Sequence, residues 1–284
     1  MKKMKLILGM LSVLGILLLS GCEDMDQLND NDQNGRLVIK LTDAPFPIDM
    51  IDAAVVTITK VEIRKKSEGT ELGYPYITVF EGNTEFNLLD LRNGITADLV
   101  DMEIDSGNYD LIRLYVDEAS LTVKDGDTYS MKVPSGAQSG IKLFVKPDLH
   151  VAGGITSDIL LDFSIEKSFI LKGNPKSPAG IKGFNFKPVI RAVNTTTAGS
   201  IEGLVTDDAS VLLEEATVWL IQDTDTITTA STVEGYYAML GIPAGLYTMS
   251  ATKEGFDTIN VEGVEIVAGN LTVQDFTLTP EVEE

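Results

Sequence analysis

Apolar and polar residues alternate along most of the chain after Gly35, with a period of two. This period predicts β-strands that bury one face and expose the other to water. The clearest example lies between residues 159 and 166. Its apolar residues are Ile159, Leu161, Phe163 and Ile165, and the polar residues between them include Asp162, Ser164 and Glu166. We expect the apolar set in a core and the polar set in solvent.

Short turn sequences separate the predicted strands at regular intervals. They are rich in glycine, asparagine and aspartate, which adopt the backbone conformations that tight turns need. Only the segment from Asn87 to Asp101, which holds four leucines, has a pattern that fits a short helix. Many short strands with little predicted helix favour an all-β protein made of antiparallel β-sandwiches.

A polar stretch from Asn194 to Ser200 interrupts the strand pattern and marks a domain boundary. The length of 284 residues also suggests two domains, since domains average roughly 150 residues. We predict two β-sandwich domains, a linker and an acidic tail. The domains cover residues 36–193 and 200–280, the linker covers residues 194–199 and the tail covers residues 281–284.

The amino terminus has a different pattern, which predicts export. Three lysines within the first five residues precede an apolar stretch from Leu6 to Leu19, which is shorter than the roughly 20 residues that span a bilayer. The stretch ends in Leu19, Ser20, Gly21 and Cys22, which resembles the lipobox of bacterial lipoproteins. The resemblance implies removal of residues 1–21 and attachment of lipid to Cys22.

Residues 22–35 are polar and acidic, so we predict a flexible tether between the lipid and the first domain. The resemblance to lipoproteins implies a membrane partner, which we expect to be the outer membrane of a Gram-negative bacterium. Glu23, Asp24 and Asp26 follow Cys22 directly. Such a run resembles a surface-export signal in some lineages and is ordinary linker in others, so both faces of the membrane stay open.

Residues 30–35 match the first six positions of a calcium-binding loop. The twelfth position, which normally holds a bidentate glutamate, is Leu41. Leu41 also belongs to an apolar alternation that predicts a strand. We therefore predict no metal site, and no cofactor motif is found elsewhere in the sequence.

Composition narrows the function classes. The chain has 43 acidic and 22 basic residues and a formal net charge of −21, which repels the phosphate backbone of nucleic acids. One histidine and one cysteine leave no zinc cluster of His and Cys, no disulfide framework and no Cys–His pair. We expect no nucleic-acid partner.

Motifs for catalysis are weak. The sequence has no G-x-S-x-G, and the S-x-x-K pattern that begins at Ser139 and again at Ser164 lacks its companion motifs. Ser164 and Lys167 are predicted on one strand, where residues three apart face opposite sides. His150 is expected as a packed or edge residue. We predict no catalytic residues and no enzymatic activity, although a hydrolase that uses two of the many carboxylates stays an alternative.

Three aromatic residues are candidates for binding. Tyr74 and Tyr76 flank Pro75 next to a predicted loop, and aromatic rings with a polar tip often form binding surfaces. Alternatively, the two tyrosines begin a strand and cover the edge of the core. Trp219 lies in a segment that is apolar on both faces, so we expect it in the core.

The second domain contains an ordered series of short motifs. They are Ile201–Val205, Ala216–Val218, Gly235–Tyr237, Gly241–Tyr247 and Lys253–Phe256. In this order they resemble the carboxypeptidase regulatory-like family, a small transthyretin-like β-sandwich. The resemblance implies a non-catalytic accessory module, and some related folds bind starch or other glycans.

The first domain resembles an uncharacterised family of domains from bacterial envelope lipoproteins. The resemblance rests on Leu41–Pro45, Asp90–Gly94, Gly107–Tyr109 and Lys187–Arg191. It implies a location and a fold but no activity.

Together these patterns predict a non-catalytic, lipid-anchored envelope protein that serves in adhesion, in a scaffold or as an accessory subunit. Its expected partners are the membrane, through Cys22, and an envelope protein or a glycan. The main alternative is a carbohydrate-binding surface lipoprotein that contacts the sugar through Tyr74 and Tyr76 or through turns of the second domain.

Overall fold

The computed structural model describes residues 34–44, 51–66, 76–174 and 180–281. The described part of the first domain contains eleven strands and two short helices. The strands are β1 (Asn34–Ala44), β2 (Ile51–Lys65), β3 (Tyr76–Asn87), β4 (Ala97–Asp105), β5 (Gly107–Val123), β6 (Thr128–Lys132), β7 (Ile141–Val151), β8 (Thr156–Ser164), β9 (Phe169–Gly173), β10 (Ile181–Phe186) and β11 (Ile190–Asn194). The helices are α1 (Pro134–Ser139) and α2 (Ile165–Ser168).

The first domain is built on one long sheet that folds into two layers. Its strand order is β3-β2-β5-β7-β11-β8-β1-β4, with β6 also paired to β5. The strands β7 and β11 meet through only one residue pair, Val145 with Ala192, so the sheet divides there into two halves. Both halves contribute to a single core, for example Ile58 and Ile112 from one and Ile39 and Ile159 from the other.

The second domain is a smaller sandwich of two four-stranded sheets. Its strands are β12 (Ala198–Asp207), β13 (Thr217–Gln222), β14 (Asp225–Ser231), β15 (Tyr236–Pro243), β16 (Gly245–Thr252), β17 (Ile259–Ile266), β18 (Leu271–Val273) and β19 (Phe276–Leu278). One sheet has the order β15-β12-β18, with β19 also on β12, and the other has the order β14-β13-β16-β17. The inward residues of both sheets, such as Val218 and Tyr237, form a second core.

The predicted all-β class with two sandwiches is confirmed. Most strand pairs are antiparallel, but β1 pairs with β8 and β11 with β7 in parallel, and β12 runs parallel to β18 and β19. Residue 203 of β12 has to be a glycine, because the backbone just before β19 passes very close to it. A Cβ atom at this position would lie 1.9 Å from the carbonyl oxygen of Gln274.

One local prediction is confirmed only in part, and another is wrong. The segment from Asn87 to Asp101 forms only one 3-10 turn, Leu88–Leu91, before β4 begins. Its three leucines are buried, so they hold the turn against the core without a longer helix. The strand predicted through Glu166 ends at Ser164, and Ile165–Ser168 forms α2.

The two domains pack directly against each other. The side-chain amide of Asn93 donates a hydrogen bond of 2.9 Å to the carbonyl oxygen of Ser231. Gly94 faces Ala238 so closely that a Cβ atom would lie 3.2 Å from the Ala238 methyl group. Leu160 of β8, which the alternation placed toward solvent, is buried and lies against Gly241 of the second domain. The outer face of β8 is therefore an interface.

Candidate binding site between the domains

A cleft of about 280 Å³ lies between the two domains, and we name it the Trp219 cleft. The first domain forms one wall from the end of β8, helix α2 and the start of β11. This wall consists of Asp162, Ser164, Glu166, Lys167, Val189 and Arg191. The second domain forms the facing wall from Trp219 of β13 and residues 226–229 of β14. A charged wall therefore faces an aromatic wall that is rich in threonine.

An ion pair organises the first wall. Asp162 and Arg191 stand directly opposite each other on the antiparallel strands β8 and β11. The Arg191 Nε atom donates to Asp162 Oδ2 at 3.0 Å, and the Nη2 atom donates to the same oxygen. The Asp162 side chain is 7% exposed and that of Arg191 is 35% exposed. Burial raises the pKa of Asp162, and the guanidinium of Arg191 opposes this rise.

A second buried carboxyl group lies beside this pair. Asp43 is at the end of β1, where β1 runs parallel to β8 and Thr42 is opposite Asp162. Its Oδ1 atom accepts a hydrogen bond of 3.3 Å from the backbone N–H of Ile165, and its Oδ2 atom is buried without a partner. Burial and the nearby charge of Asp162 raise the pKa of Asp43 well above the ordinary value of an aspartate. Both effects disfavour the ionised form of Asp43, which lies beneath the second domain.

Trp219 forms the aromatic part of the facing wall. Its neighbours Val218 and Leu220 are fully buried in the core of the second domain, so the alternation of the strand points Trp219 to the opposite face. There it is half-buried in the cleft, next to its cross-strand partner Thr229. The prediction that Trp219 belongs to the core is wrong, because β13 is covered on its outer face by the first domain.

The Tyr76 position belongs to a different surface. Tyr76 is the first residue of β3 and pairs with Arg64 of β2. The guanidinium of Arg113 lies 3.7 Å from the centre of the Tyr76 ring. On the same outer sheet face, the Tyr115 hydroxyl donates to Glu62 at 2.8 Å, and Lys60 lies over the Tyr115 ring. We name these residues, with Phe144 of β7, the Tyr76 face.

The other predicted site residues are separate from the cleft or lie outside the described residues. Tyr74 and the lipobox residues Leu19, Ser20, Gly21 and Cys22 lie outside them. His150 is exposed and forms a hydrogen bond of 2.8 Å with the side chain of Asn108 at a strand pair.

Ser164 caps α2, with its hydroxyl accepting from the backbone N–H of Lys167 at 3.4 Å. The pattern from Ser164 to Lys167 is thus a helix cap and not a pair on one strand. Within the described ranges, no three His, Cys, Asp or Glu side chains are grouped to hold a metal. The helices in that part of the chain are all too short or too polar to cross a membrane.

The cleft as a unit is not visible in the sequence. Asp162 was assigned to the solvent face because it alternates with Leu161 and Phe163. The available signal was Leu160, since an apolar residue on the supposedly wet face of β8 indicates a second buried surface. The pairing of Asp162 with Arg191 and their position opposite Trp219 depend on strand order and domain packing, which no local pattern encodes.

The fold and the cleft define a two-domain β-sandwich protein. Residues 34–188 match the model of a domain of unknown function, DUF4382, and residues 200–279 match the carboxypeptidase regulatory-like domain. The first match covers more than half of the chain, so the chain belongs to the DUF4382 family, with a carboxypeptidase regulatory-like domain after it. Both resemblances in the sequence are confirmed. No curated protein matches the chain significantly.

Several solved structures of bacterial proteins show some similarity to the chain. A type II cohesin–X-dockerin complex of Acetivibrio cellulolyticus matches with 21% identity and a TM-score of 0.22, over 28% of this chain and 52% of that chain. The Bacillus anthracis TIE protein matches with 9% identity and a TM-score of 0.26, over 92% and 42%. The minor pilin GBS52 of Streptococcus agalactiae matches with 11% identity and a TM-score of 0.25, over 88% and 98%.

The chain thus spans only about half of the length of the first two of these structures. The TM-scores are low, and no statement about the function of this chain follows from these neighbours.

Proposed function

We propose that this protein is a lipid-anchored binding protein of the bacterial cell envelope, whose two β domains form one interaction module without catalytic activity. The observation that carries the proposal is the Trp219 cleft, which the directly packed domains enclose between a charged wall and an aromatic wall. Small ligands and peptides bind preferentially in such concave sites at domain interfaces. The roles that fit are adhesion, a scaffold or an accessory subunit.

The anchor is the second part of the proposal. The sequence Leu19–Cys22 supports lipid attachment at Cys22, and two or more acyl chains hold a protein stably at a membrane. We place the protein at the outer membrane of a Gram-negative cell, with the tether of residues 22–35 between lipid and domains. Whether the domains face the medium is decided by trypsin and antibody access on intact cells.

The anchor is tested by replacing Cys22. We expect the wild type to incorporate labelled palmitate and to enter the membrane fraction, and Cys22→Ser to lose the label and to retain residues 1–21. Ser20→Ala serves as the matched control, because a small residue is retained at that position and the label is expected to persist. Equal labelling of wild type and Cys22→Ser contradicts the anchor.

The interaction role is tested on living cells with the full-length protein. A photoreactive amino acid at Thr226, at the edge of the cleft, is expected to crosslink an envelope component, and one at exposed Asp98 of β4 serves as the control. Deletion of the protein is expected to change adhesion or a surface assembly. The proposal fails when deletion leaves adhesion, surface assemblies and crosslinked partners unchanged.

Carbohydrate binding at the Tyr76 face is a second candidate. It is favoured by the side chain of Phe144, which is 58% exposed on the same sheet face as Tyr76 and Arg113. The double substitution Tyr74→Ala/Tyr76→Ala is expected to abolish glycan binding when the sugar lies there. Unchanged binding by the double variant removes this candidate.

A further inference from the structure

We propose that the Trp219 cleft binds one neutral pyranose unit of a glycan, with the sugar ring on Trp219 and its hydroxyls on Asp162 and Arg191. This inference rests on the proposed binding function and names the ligand class of the cleft. It places the sugar at the domain interface and not on the Tyr76 face.

The two walls match the two kinds of surface on a pyranose. A pyranose has a flat C–H face that is apolar and an edge of hydroxyls that both donate and accept hydrogen bonds. Trp219 lines the wall of the second domain, and its indole ring is a flat apolar surface of the kind that the C–H face of a sugar contacts. The opposite wall supplies charged groups, and charged groups make stronger hydrogen bonds than neutral ones. A purely apolar or purely polar ligand satisfies only one wall.

The Asp162–Arg191 pair is fixed in place yet retains bonding capacity. Both bonds from Arg191 end on Oδ2 of Asp162, so Arg191 leaves Oδ1 open as an acceptor. The bonds use Nε and Nη2 of Arg191, which leaves Nη1 outside the pair as a donor. One acceptor and one donor held side by side fit neighbouring sugar hydroxyls. The burial of Asp162 keeps this arrangement from rearranging freely.

The charge of the cleft favours a neutral ligand. The charged side chains that line it are Asp162, Glu166, Lys167 and Arg191. Their formal charges cancel, whereas the whole chain has a net charge of −21. An anionic ligand meets no excess of positive charge in the cleft and is repelled by the rest of the protein. The cleft itself therefore has no excess of either charge that would select an ionic ligand.

The volume also limits the ligand. The cleft measures about 280 Å³, close to the lower end of the roughly 300–1,000 Å³ typical of small-ligand sites. It therefore holds a single ring of a longer glycan, and the adjoining units extend into solvent.

Trp219 is the only tryptophan of the chain, so its fluorescence reports on this cleft alone. The full-length lipoprotein in detergent is titrated with neutral oligosaccharides of glucose, galactose, mannose and N-acetylglucosamine, and with a uronic acid oligosaccharide for comparison. We expect a saturable change in emission and reduced quenching by acrylamide with one neutral class. We expect no response to the uronic acid oligosaccharide.

Variants locate the site by calorimetry, because some of them remove the fluorophore. Trp219→Ala is expected to weaken binding by about tenfold or more, and Trp219→Phe by less, because Phe retains part of the aromatic surface. Thr226→Lys blocks the edge of the cleft from an exposed strand position and leaves both cores untouched. Phe144→Ala on the Tyr76 face is the matched control and is expected to bind like the wild type.

Three results overturn the inference. The first is the absence of a response to every neutral oligosaccharide. If the crosslinks on living cells persist in that case, the proposed interaction function still stands although the sugar ligand does not. The second is glycan binding that is lost in Tyr76→Ala and retained in Thr226→Lys, because it places the sugar on the other surface. The third is a response to the uronic acid oligosaccharide alone.

Discussion

The Trp219 cleft and the Tyr76 face both combine aromatic and charged residues, yet they differ in how these groups are used. On the Tyr76 face, Arg113 lies over Tyr76, and Tyr115 donates to Glu62. In the Trp219 cleft, one oxygen of Asp162 takes both bonds from Arg191. Among the residues that the structure describes, no cation or aromatic ring lies over Trp219.

The difference has a geometric cause. Neighbours on one sheet stand about 5 Å apart in a fixed register, so their side chains pair with each other. Two domains that fold around separate cores meet at surfaces that do not match everywhere, and a cleft remains. Cross-strand neighbours therefore pair with each other, and this holds for Asp162 and Arg191 in the cleft as well. The difference is made by Trp219, which faces the other domain across the cleft and stays open to a ligand.

The largest expected effect comes from breaking the interface. Ala238→Arg places a long charged side chain where Gly94 already approaches closely. Overpacking and a buried charge are expected to cost about 3 kcal/mol of interdomain stability. Calorimetry of the variant should show two separate unfolding transitions, and the response of Trp219 to glycan should disappear. The Tyr76 face should be unaffected.

Leu204→Arg is the matched control for this change. Leu204 lies on the same sheet face as Ala238, two cross-strand pairs further along, and is 41% exposed. We expect it to unfold like the wild type. Equal behaviour of the two arginine variants would show that the interface does not hold the domains together.

A smaller effect is expected from Asp43, which lies beneath the second domain. Its pKa is raised in the folded protein, so the folded state keeps the proton at a pH where the unfolded chain has released it. Stability is therefore greatest below the unfolded pKa and falls as pH rises toward the folded pKa. Asp43→Asn cannot ionise, and it should be more stable than the wild type at neutral pH.

The expected gain for Asp43→Asn at neutral pH is about 1 kcal/mol or more, because the variant has no carboxyl to ionise and each pKa unit corresponds to about 1.4 kcal/mol. Urea unfolding at a series of pH values from acidic to neutral measures it, with Asp98→Asn at an exposed position as the control. A wild-type profile parallel to that of Asp43→Asn would mean that Asp43 does not titrate in this range.

The smallest effects are expected on the Tyr76 face. Tyr115→Phe removes a hydrogen bond to Glu62 and should cost about 0.5–1.5 kcal/mol, and Tyr76→Ala should lose a cation–π contact worth about 0.5–1 kcal/mol. Both variants should leave the Trp219 emission and its response to glycan unchanged. A changed emission in either variant would connect the two surfaces and weaken the contrast between them.

The sequence by itself determined the β class, the two sandwich families and the buried set of Ile159, Leu161, Phe163 and Ile165, because the alternation along a strand and the order of turn motifs are local properties. It also carries the lipobox, on which the proposed anchor rests. It did not determine the structure of Asn87–Asp101. The spacing of the leucines in this segment fits a helix, but the segment forms one 3-10 turn followed by the start of β4. The sequence also did not show that β8 ends at Ser164, because the alternation of apolar and polar residues continues through Ile165 and Glu166.

Only the tertiary structure decided which outer faces are wet. Leu160 and Asp162 lie on the outer face of β8, and a period of two assigns that face to solvent whatever covers it later. Trp219 lies on the outer face of β13, and the apolar residues on both faces of that segment predict a core position for it. The covering surface comes from residues far away in the chain. An outer face is buried only because the two domains pack together, and the alternation along a strand of one domain carries no information about the surface of the other domain.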